Sequence, residues 1–153
     1  MKIYFDACCY GRPFDNQSEP GNAEDTVNLA EIVGACKIAG HLIVGSRVVA
    51  YEIDRNPKIV ERAAIKELYD KTVDDDSVTA SAEVAMRAEA LQGEGIKLMD
   101  SYHLAAAEAA GADVLVAVDK GFLRVCRNKG LSVVRVTNPS TFLEEARRWP
   151  LQQ

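Results

Sequence analysis

Two aspartates in this sequence come directly after largely apolar stretches. Asp6 follows residues 2–5, and Asp119 follows residues 113–118. The second stretch is an apolar run of the kind that forms a strand buried on both faces of a sheet. In open α/β sheets, ligands bind beyond the carboxyl ends of the parallel strands, where the strand order reverses. The positions of Asp6 and Asp119 therefore predict a ligand site at that edge of a sheet.

Two further acids are candidates for the same site. Glu52 comes four residues after Val48 and three after Val49 in a predicted helix, so it projects from the inward-facing stripe. This position suits a site residue and a buried acid with satisfied hydrogen bonds equally well. Asp100 begins a predicted helix, and the simplest interpretation of its position is an N-terminal cap.

Carboxylates that gather in one cleft require a compensating cation. Two like charges about 4 Å apart repel by roughly 4 kcal/mol at an effective dielectric constant of about 20. Mg2+ relieves such repulsion, because it takes oxygen ligands, keeps several waters and bridges carboxylates to phosphate oxygens. If the four acids converge, we expect a site that binds Mg2+ and acts on a phosphate.

The elements that position these acids alternate between strands and helices. Short apolar runs predict strands at residues 2–5, 42–44, 113–118 and 132–136. Helical spacing and cap residues predict helices at residues 23–39, 47–56 after a Ser46 cap, 58–71, from Ser77 or Thr79 to 92, 101–110, 122–128, and a last helix with a capping box of Thr141 and Glu144. Polar composition predicts loops at residues 11–22 and 74–76.

This alternation predicts an α/β fold. We expect a three-layer α/β/α arrangement, in which a central, mainly parallel sheet carries helices on both faces. The chain has 153 residues, 48% hydrophobic and 27% charged, which is ordinary for one soluble domain with a sizeable core. A single domain over residues 1–150 is therefore predicted.

Net charge and apolar patterning restrict the class of protein. The formal net charge of -5 argues against binding nucleic acid through bulk positive charge, so any such chemistry must come from a local site. The N-terminus lacks the long apolar stretch of a secretory signal. Glu108 and Asp113 interrupt the most apolar region, which therefore cannot span a bilayer. We expect a cytoplasmic protein with no membrane partner.

The four cysteines predict neither a zinc site nor a disulfide. They lack CxxC or Cys/His spacing, and the adjacent pair is too constrained for an ordinary disulfide. We interpret all of them as reduced and as small buried hydrophobic residues: Cys8, Cys9, Cys36 and Cys126.

Four ordered motifs, one around each acid, resemble the PIN domain family. They are residues 2–9 followed by 12–15, residues 48–53 around Glu52, residues 100–105, and residues 116–120. The resemblance covers nearly the whole chain. It implies a small α/β/α nuclease that uses Mg2+ or Mn2+. By this resemblance, the metal-binding and catalytic positions are Asp6, Glu52, Asp100 and Asp119.

The same resemblance implies a substrate and partners. Many PIN domains are the toxins of VapC-like toxin–antitoxin pairs, so RNA is the implied substrate and an antitoxin protein is an implied partner. Hydrolysis would leave a 5'-phosphate and a 3'-hydroxyl. PIN domains often form homodimers, and the alanine-rich helices of this chain suit a dimer interface or, equally, the core.

Some positions depart from the family pattern. Many PIN domains carry Thr or Ser where this chain has Ala117, and a further acid where it has Gly121. Residues 7 and 8, Ala and Cys, replace the Ser or Thr that commonly follows the first aspartate in the toxins. An alternative is thus a PIN-like domain that binds RNA or a protein without cutting. A phosphatase of the haloacid-dehalogenase type would need a second aspartate two residues after Asp6, which is missing.

Two residues near Asp6 and one near Asp100 are candidates for supporting roles. Arg12 and Phe14 suit a phosphate contact and a base-stacking face, or else a turn with a surface arginine and a buried aromatic residue. His103, one helical turn after Asp100, is interpreted as support for that acid or as a packing residue rather than a catalytic one.

Two arginine pairs are predicted to be solvated helix faces, with RNA contact as the alternative. They are Arg124 with Arg127 and Arg147 with Arg148.

Overall fold

Five parallel strands and eight α-helices make up residues 1–150, the part of the chain that the computed structural model describes. The strands are β1 (Lys2–Phe5), β2 (Leu42–Ser46), β3 (Asp75–Val78), β4 (Val114–Val116) and β5 (Arg135–Thr137). The helices are α1 (Ala7–Gly11), α2 (Pro20–Ala39), α3 (Arg47–Asp54), α4 (Ile59–Thr72), α5 (Ala82–Gly93), α6 (Leu98–Ala109), α7 (Lys120–Lys129) and α8 (Pro139–Ala146).

The strand order is β3-β2-β1-β4-β5, and every neighbouring pair is parallel. The chain moves outward from β1 to β3, then crosses to the other side of β1 to form β4 and β5. The order therefore reverses between β1 and β4, which pair with Phe5 opposite Val116. This reversal is the place where open α/β sheets bind ligands.

Helices cover both faces of the sheet. Consecutive residues of a strand point to opposite faces, yet residues 3–5 of β1 and all of β4 are buried, so both faces must be covered. Helix α2 packs on α8, and α5 packs on α6. The predicted α/β/α class is confirmed, with a sheet that is wholly parallel.

The junction between β2 and α3 follows its predicted local chemistry. The Ser46 hydroxyl oxygen accepts from the N–H of Val49 at 3.3 Å, so the predicted N-cap is confirmed. The helix ends at Asp54, before Pro57, and Asp54 is exposed. This start places Glu52 in the second turn of α3, on the side of the sheet edge where the strands end.

Two predicted loops contain regular structure. The predicted loop over residues 11–22 holds a 3-10 turn, Arg12–Phe14, and the start of α2. The predicted acidic loop contributes to β3, which is an edge strand with one neighbour and so tolerates polar side chains. Asp74 anchors it, because its carboxylate accepts from the N–H of Ile43 at 2.8 Å and from the Lys37 ammonium at 2.6 Å.

Two helix caps differ from prediction. Helix α5 begins after Ser81, whose hydroxyl accepts from Val84 at 3.2 Å, and not after Ser77 or Thr79. Helix α8 is capped by Asn138, which accepts from the N–H of Thr141 at 2.7 Å, so the predicted capping box is wrong. In both places several cap-forming residues lie close together in sequence, and packing selects among them.

Burial differs from the prediction at one cysteine, and it places the alanines of one helix in the core rather than at a dimer interface. All four cysteines are free thiols. Cys9 and Cys36 are buried as predicted and Cys126 is half-buried, but Cys8 is exposed, so its interpretation as a buried residue is wrong. The alanines at 105, 106 and 107 of α6 are buried in the core of the single chain. Within residues 1–150 no helix is long and apolar enough to cross a membrane.

Candidate active site

Asp6 lies at the end of β1 and caps the short helix α1. Its Oδ1 atom accepts from the N–H of Cys9 at 3.2 Å, and its own N–H donates to the carbonyl of Val116 in β4 at 3.2 Å. Only 3% of Asp6 is exposed. Burial raises the pKa of its carboxyl above the ordinary value, against the opposing effects of His103 and the Cys9 amide. The negative charge of Glu52 adds to the rise in this pKa.

Asp119 lies beyond β4, on the other side of the point where the strand order reverses. It does not follow the strand directly, because β4 ends at Val116. Its Oδ1 atom accepts from the N–H of Phe122 at 2.8 Å and so caps α7, while the residue stays exposed. A Cβ atom on Gly121 would stand 3.2 Å from this Oδ1 atom. The glycine thus leaves room for the cap at the position where many PIN domains carry a further acid.

Asp100 lies in the first turn of α6 and is not its cap. The helix begins at Leu98 after Lys97, so the predicted capping role of Asp100 is wrong. Since α6 leads into the start of β4, its first turn lies toward the edge where the strands end. Burial raises the pKa of Asp100 to about 6, and the charges of Asp6 and Asp119 contribute to the rise. The charge of Glu52 adds to it, and His103 opposes it.

This raised pKa predicts how Asp100→Asn changes stability. Between the ordinary pKa of about 4 and the folded value of about 6, the folded state binds more protons than the unfolded state. Asp100 therefore destabilises the metal-free protein as pH rises through this window. In EDTA, we expect Asp100→Asn to melt at a higher temperature than the wild type at pH 7 and at an equal temperature near pH ~4. A lower melting temperature of Asp100→Asn at pH 7 would contradict the raised pKa of Asp100.

Glu52 points from α3 toward α6, where its Oε2 atom is hydrogen-bonded to Nε2 of His103. Glu52 is partly exposed, whereas His103 is 2% exposed. His103 was expected to support Asp100 or to pack; it packs, and the acid that it contacts is Glu52. The physical reason is the crossing of α3 and α6, which the spacing within α6 alone does not reveal.

A buried chain of hydrogen bonds leads from the core to Glu52. The Tyr4 hydroxyl lies 3.0 Å from Nδ1 of His103 and 2.8 Å from the Ser46 hydroxyl. A carboxylate only accepts, so Nε2 of His103 donates to Glu52, and in the tautomer whose single proton is on Nε2 the Nδ1 atom accepts from Tyr4. Tyr4 then accepts from Ser46, whose oxygen accepts from the Val49 amide. Every member of this chain has a hydrogen-bond partner, so the buried groups orient the Glu52 carboxylate.

A cleft of about 500 Å3 opens beside these acids. Glu52 and Asp119 line it, together with Ala7 and Cys8, which follow Asp6 in the chain, whereas Asp6 and Asp100 themselves are not lining residues. Polar and basic side chains complete the wall, among them Cys8, Arg12, Asn56 and Lys120. The cleft thus offers both carboxylates and cationic groups, which suits an anionic ligand held through a bridging cation.

Arg12 and Phe14 fit neither of the two predicted arrangements fully. Arg12 lines the cleft, but its guanidinium donates to Asp15 at 3.1 Å and to Asn22 at 2.8 Å, and its Nε lies 3.2 Å from Asp25. Arg12 is therefore not a free surface arginine. Phe14 is 38% exposed, so it is not a buried anchor. The predicted substrate contacts of both residues stay predictions.

The donor set fits a hard divalent cation. Within residues 1–150, no three His, Cys, Asp or Glu side chains stand close enough to hold a metal ion together. Asp6, Glu52 and Asp119 each engage one oxygen with a neighbouring group. In the described part of the chain the second oxygen of each has no hydrogen bond. Oxygen donors of this kind are the ligands that Mg2+ and Mn2+ prefer.

Sequence reasoning missed four polar residues around the site. Tyr4 and Ser46 support His103 from the core, and Asn56 and Lys120 line the cleft. Lys120 was visible as the neighbour of Asp119. Tyr4 gave no signal, since an aromatic residue in a buried strand is ordinarily part of the core.

These features define a class: an α/β domain with a wholly parallel sheet and a carboxylate-lined cleft where its strand order reverses. The chain matches the model of the PIN domain over residues 4–128, and it belongs to the PIN domain family. Among curated proteins, none matches the chain. The resemblance predicted from the four motifs is thereby confirmed.

A solved structure supports the fold. The chain is similar to a chain in the crystal structure of VapBC2 from Rickettsia felis bound to a DNA fragment from their promoter. The TM-score is 0.55 at 17% identity, and the likeness covers 90% of this chain and 98% of that chain. At this level of sequence identity the likeness shows a shared fold and nothing further.

Proposed function

We propose that this chain is a metal-dependent ribonuclease that hydrolyses phosphodiester bonds in RNA. The observation that carries the proposal is the placement of the acids. Asp6 and Asp119 flank the point of strand reversal, Glu52 and Asp100 approach from α3 and α6, and the charges of Asp6, Glu52 and Asp119 all raise the pKa of Asp100. Membership of the PIN domain family supports the same activity.

In this proposal the four carboxylates hold Mg2+ or Mn2+, and the protein positions them. Asp6 and Asp119 are fixed as helix caps, and the chain of hydrogen bonds behind His103 orients Glu52. When bound, the cation supplies Lewis-acid activation of water and neutralises charge on the phosphate. Arg12 and Lys120 line the cleft and would contact the substrate there.

The direct test is cleavage of single-stranded RNA by pure protein. We expect cleavage with Mg2+ or Mn2+, none in EDTA, and products that end in a 5'-phosphate and a 3'-hydroxyl. Labelled RNA resolved on a denaturing gel, with and without phosphatase treatment, measures both properties. Cleavage that persists in EDTA would reject the metal-dependent mechanism.

Metal binding should also stabilise the fold, because a cation relieves repulsion among the acids. At a concentration one hundred times the dissociation constant, the gain is about 2.7 kcal/mol, or roughly 5 to 10 °C in melting temperature. Thermal melts with and without Mg2+ measure it. Asp6→Asn should lose most of the shift, whereas Asp54→Asn, which changes an exposed acid on α3, should keep it. A shift that is equal in all three proteins would place the metal elsewhere.

A second candidate is a PIN domain that binds RNA or a protein without cutting. Ala117, Gly121 and the spacing of the acids favour it. Metal binding without cleavage of varied RNAs would support this alternative.

We further propose an antitoxin protein as a partner, since the similar solved structure is that of VapBC2. A homodimer and a cytoplasmic location remain predictions from the sequence.

A further inference from the structure

A row of basic side chains starts at the cleft and continues along α7. This helix begins at Lys120, two residues before its predicted start. Lys120, Arg124 and Arg127 therefore stand at positions i, i+4 and i+7 of one helix. At about 100° per residue, these positions lie within roughly 60° of one another around the helix axis. The three side chains share one face, which we call the α7 track.

The α7 track is exposed, and its side chains form no close ion pairs in the described part of the chain. Lys120, Arg124 and Arg127 are all exposed, and within residues 1–150 none of them forms an ion pair or a side-chain hydrogen bond. Some other arginines are paired, since Arg87 pairs with Glu108 and Arg135 with Glu145. The α7 track is thus free to bind an anion.

Helix stability does not explain this arrangement. Like charges one turn apart, as at Lys120 and Arg124, repel each other. Lys120 also stands at the first position of α7, where the helix dipole disfavours a cation. Only Arg127, in the last turn, is placed favourably for the dipole. A solvated face that serves the helix alone would carry acids near its start.

The α7 track is continuous with the cleft. Lys120 lines the cleft beside Asp119, and Arg127 lies about 10 Å further along the helix axis. An extended nucleic-acid strand has more than one phosphate within that length. Because the whole chain carries a net charge of -5, an unpaired basic row is a local feature that distinguishes this surface.

We propose that the α7 track binds the phosphate backbone of single-stranded RNA and leads the strand into the cleft. This inference rests on the proposed ribonuclease function. A single row of cations on a convex helix contacts one strand, and the guanidinium groups of Arg124 and Arg127 match phosphate oxygens in pairs. The sequence had favoured a solvated face for these arginines, and the added Lys120 at the cleft changes that interpretation.

The test compares two double variants that remove the same charge. Arg124→Gln/Arg127→Gln alters the α7 track, and Arg147→Gln/Arg148→Gln removes two exposed arginines after α8, of which Arg147 pairs with Glu31 on α2. Glutamine is a good helix former, so both variants should fold. Binding of a short fluorescent oligouridylate is measured by anisotropy in EDTA over a series of salt concentrations.

We expect the α7 variant to bind roughly 10- to 30-fold more weakly at about 0.1 M salt, because each lost phosphate contact removes about 0.7 from the logarithmic salt slope of a single strand. The magnitude of this slope should decrease by about 1.4 in the α7 variant, and the control variant should match the wild type. Unchanged affinity of the α7 variant, equal loss in the control, or tighter binding of duplex RNA than of single strands would overturn the proposal. Absence of cleavage by the wild type would reject the nuclease function without altering this binding result, which needs no metal.

Discussion

Asp119→Asn is expected to lower the rate of metal-dependent RNA cleavage by on the order of 100-fold or more while leaving the fold intact. Loss of a group that merely supports a metal ligand costs about 10- to 100-fold, so loss of a proposed ligand should cost at least as much. Asparagine keeps an oxygen that accepts from the Phe122 amide, so the cap of α7 survives. The melting temperature of the metal-free protein should be equal to that of the wild type or slightly higher, because one repelling charge is gone.

Asp54→Asn is the matched control for this experiment. It removes the same charge from an exposed residue of α3, two positions after Glu52. Initial rates on labelled RNA, measured for the three proteins with saturating Mg2+, should fall for Asp119→Asn alone. Equal cleavage by wild type and Asp119→Asn would indicate a contaminating nuclease or a different active site.

Gly45→Ala is expected to destabilise the fold by roughly 2 to 4 kcal/mol, because it overpacks a buried contact and breaks hydrogen bonds. A Cβ atom at Gly45 would stand 2.1 Å from the hydroxyl oxygen of Tyr69 and 2.8 Å from its Cζ atom. Tyr69 is buried in α4, and its hydroxyl bonds the backbone N–H and carbonyl of Ser46 at 3.0 and 3.2 Å. The added methyl group must displace Tyr69 and with it the support of Ser46.

Thermal and urea unfolding measure this effect, which corresponds to roughly 5 to 15 °C in melting temperature. Gly34→Ala is the control, since a Cβ atom at Gly34 meets nothing within 4 Å in the interior of α2. It should stabilise the protein by up to about 1 kcal/mol. In Gly45→Ala/Tyr69→Phe the hydroxyl clash is gone but the ring clash remains, so only part of the loss should return. Wild-type stability of Gly45→Ala would mean that Tyr69 does not pack on this strand.

The amino-acid sequence alone determined the class of fold and the candidate acids. A strand buried on both faces needs a run of apolar residues such as 114–118. Strands that are joined by helical crossovers lie parallel in the sheet. The sequence also identified Ser46 as the N-cap of α3, because a serine hydroxyl accepts from the backbone N–H groups of the first helical turn. These are properties of neighbouring residues, and neighbouring residues are what a sequence displays.

Only the tertiary structure decided which groups meet across long separations in the chain. His103 lies three residues from Asp100, but the crossing of α3 and α6 joins it to Glu52, and Tyr4 completes the contact from the central strand. The acidic edge strand β3 exists because β2 offers it a partner, against the preference of its own residues. Likewise, the packing of the elements places Lys120 in the wall of the cleft and so joins the basic face of α7 to it. Packing energy between distant elements outweighs local preference at each of these places, and no local pattern records it.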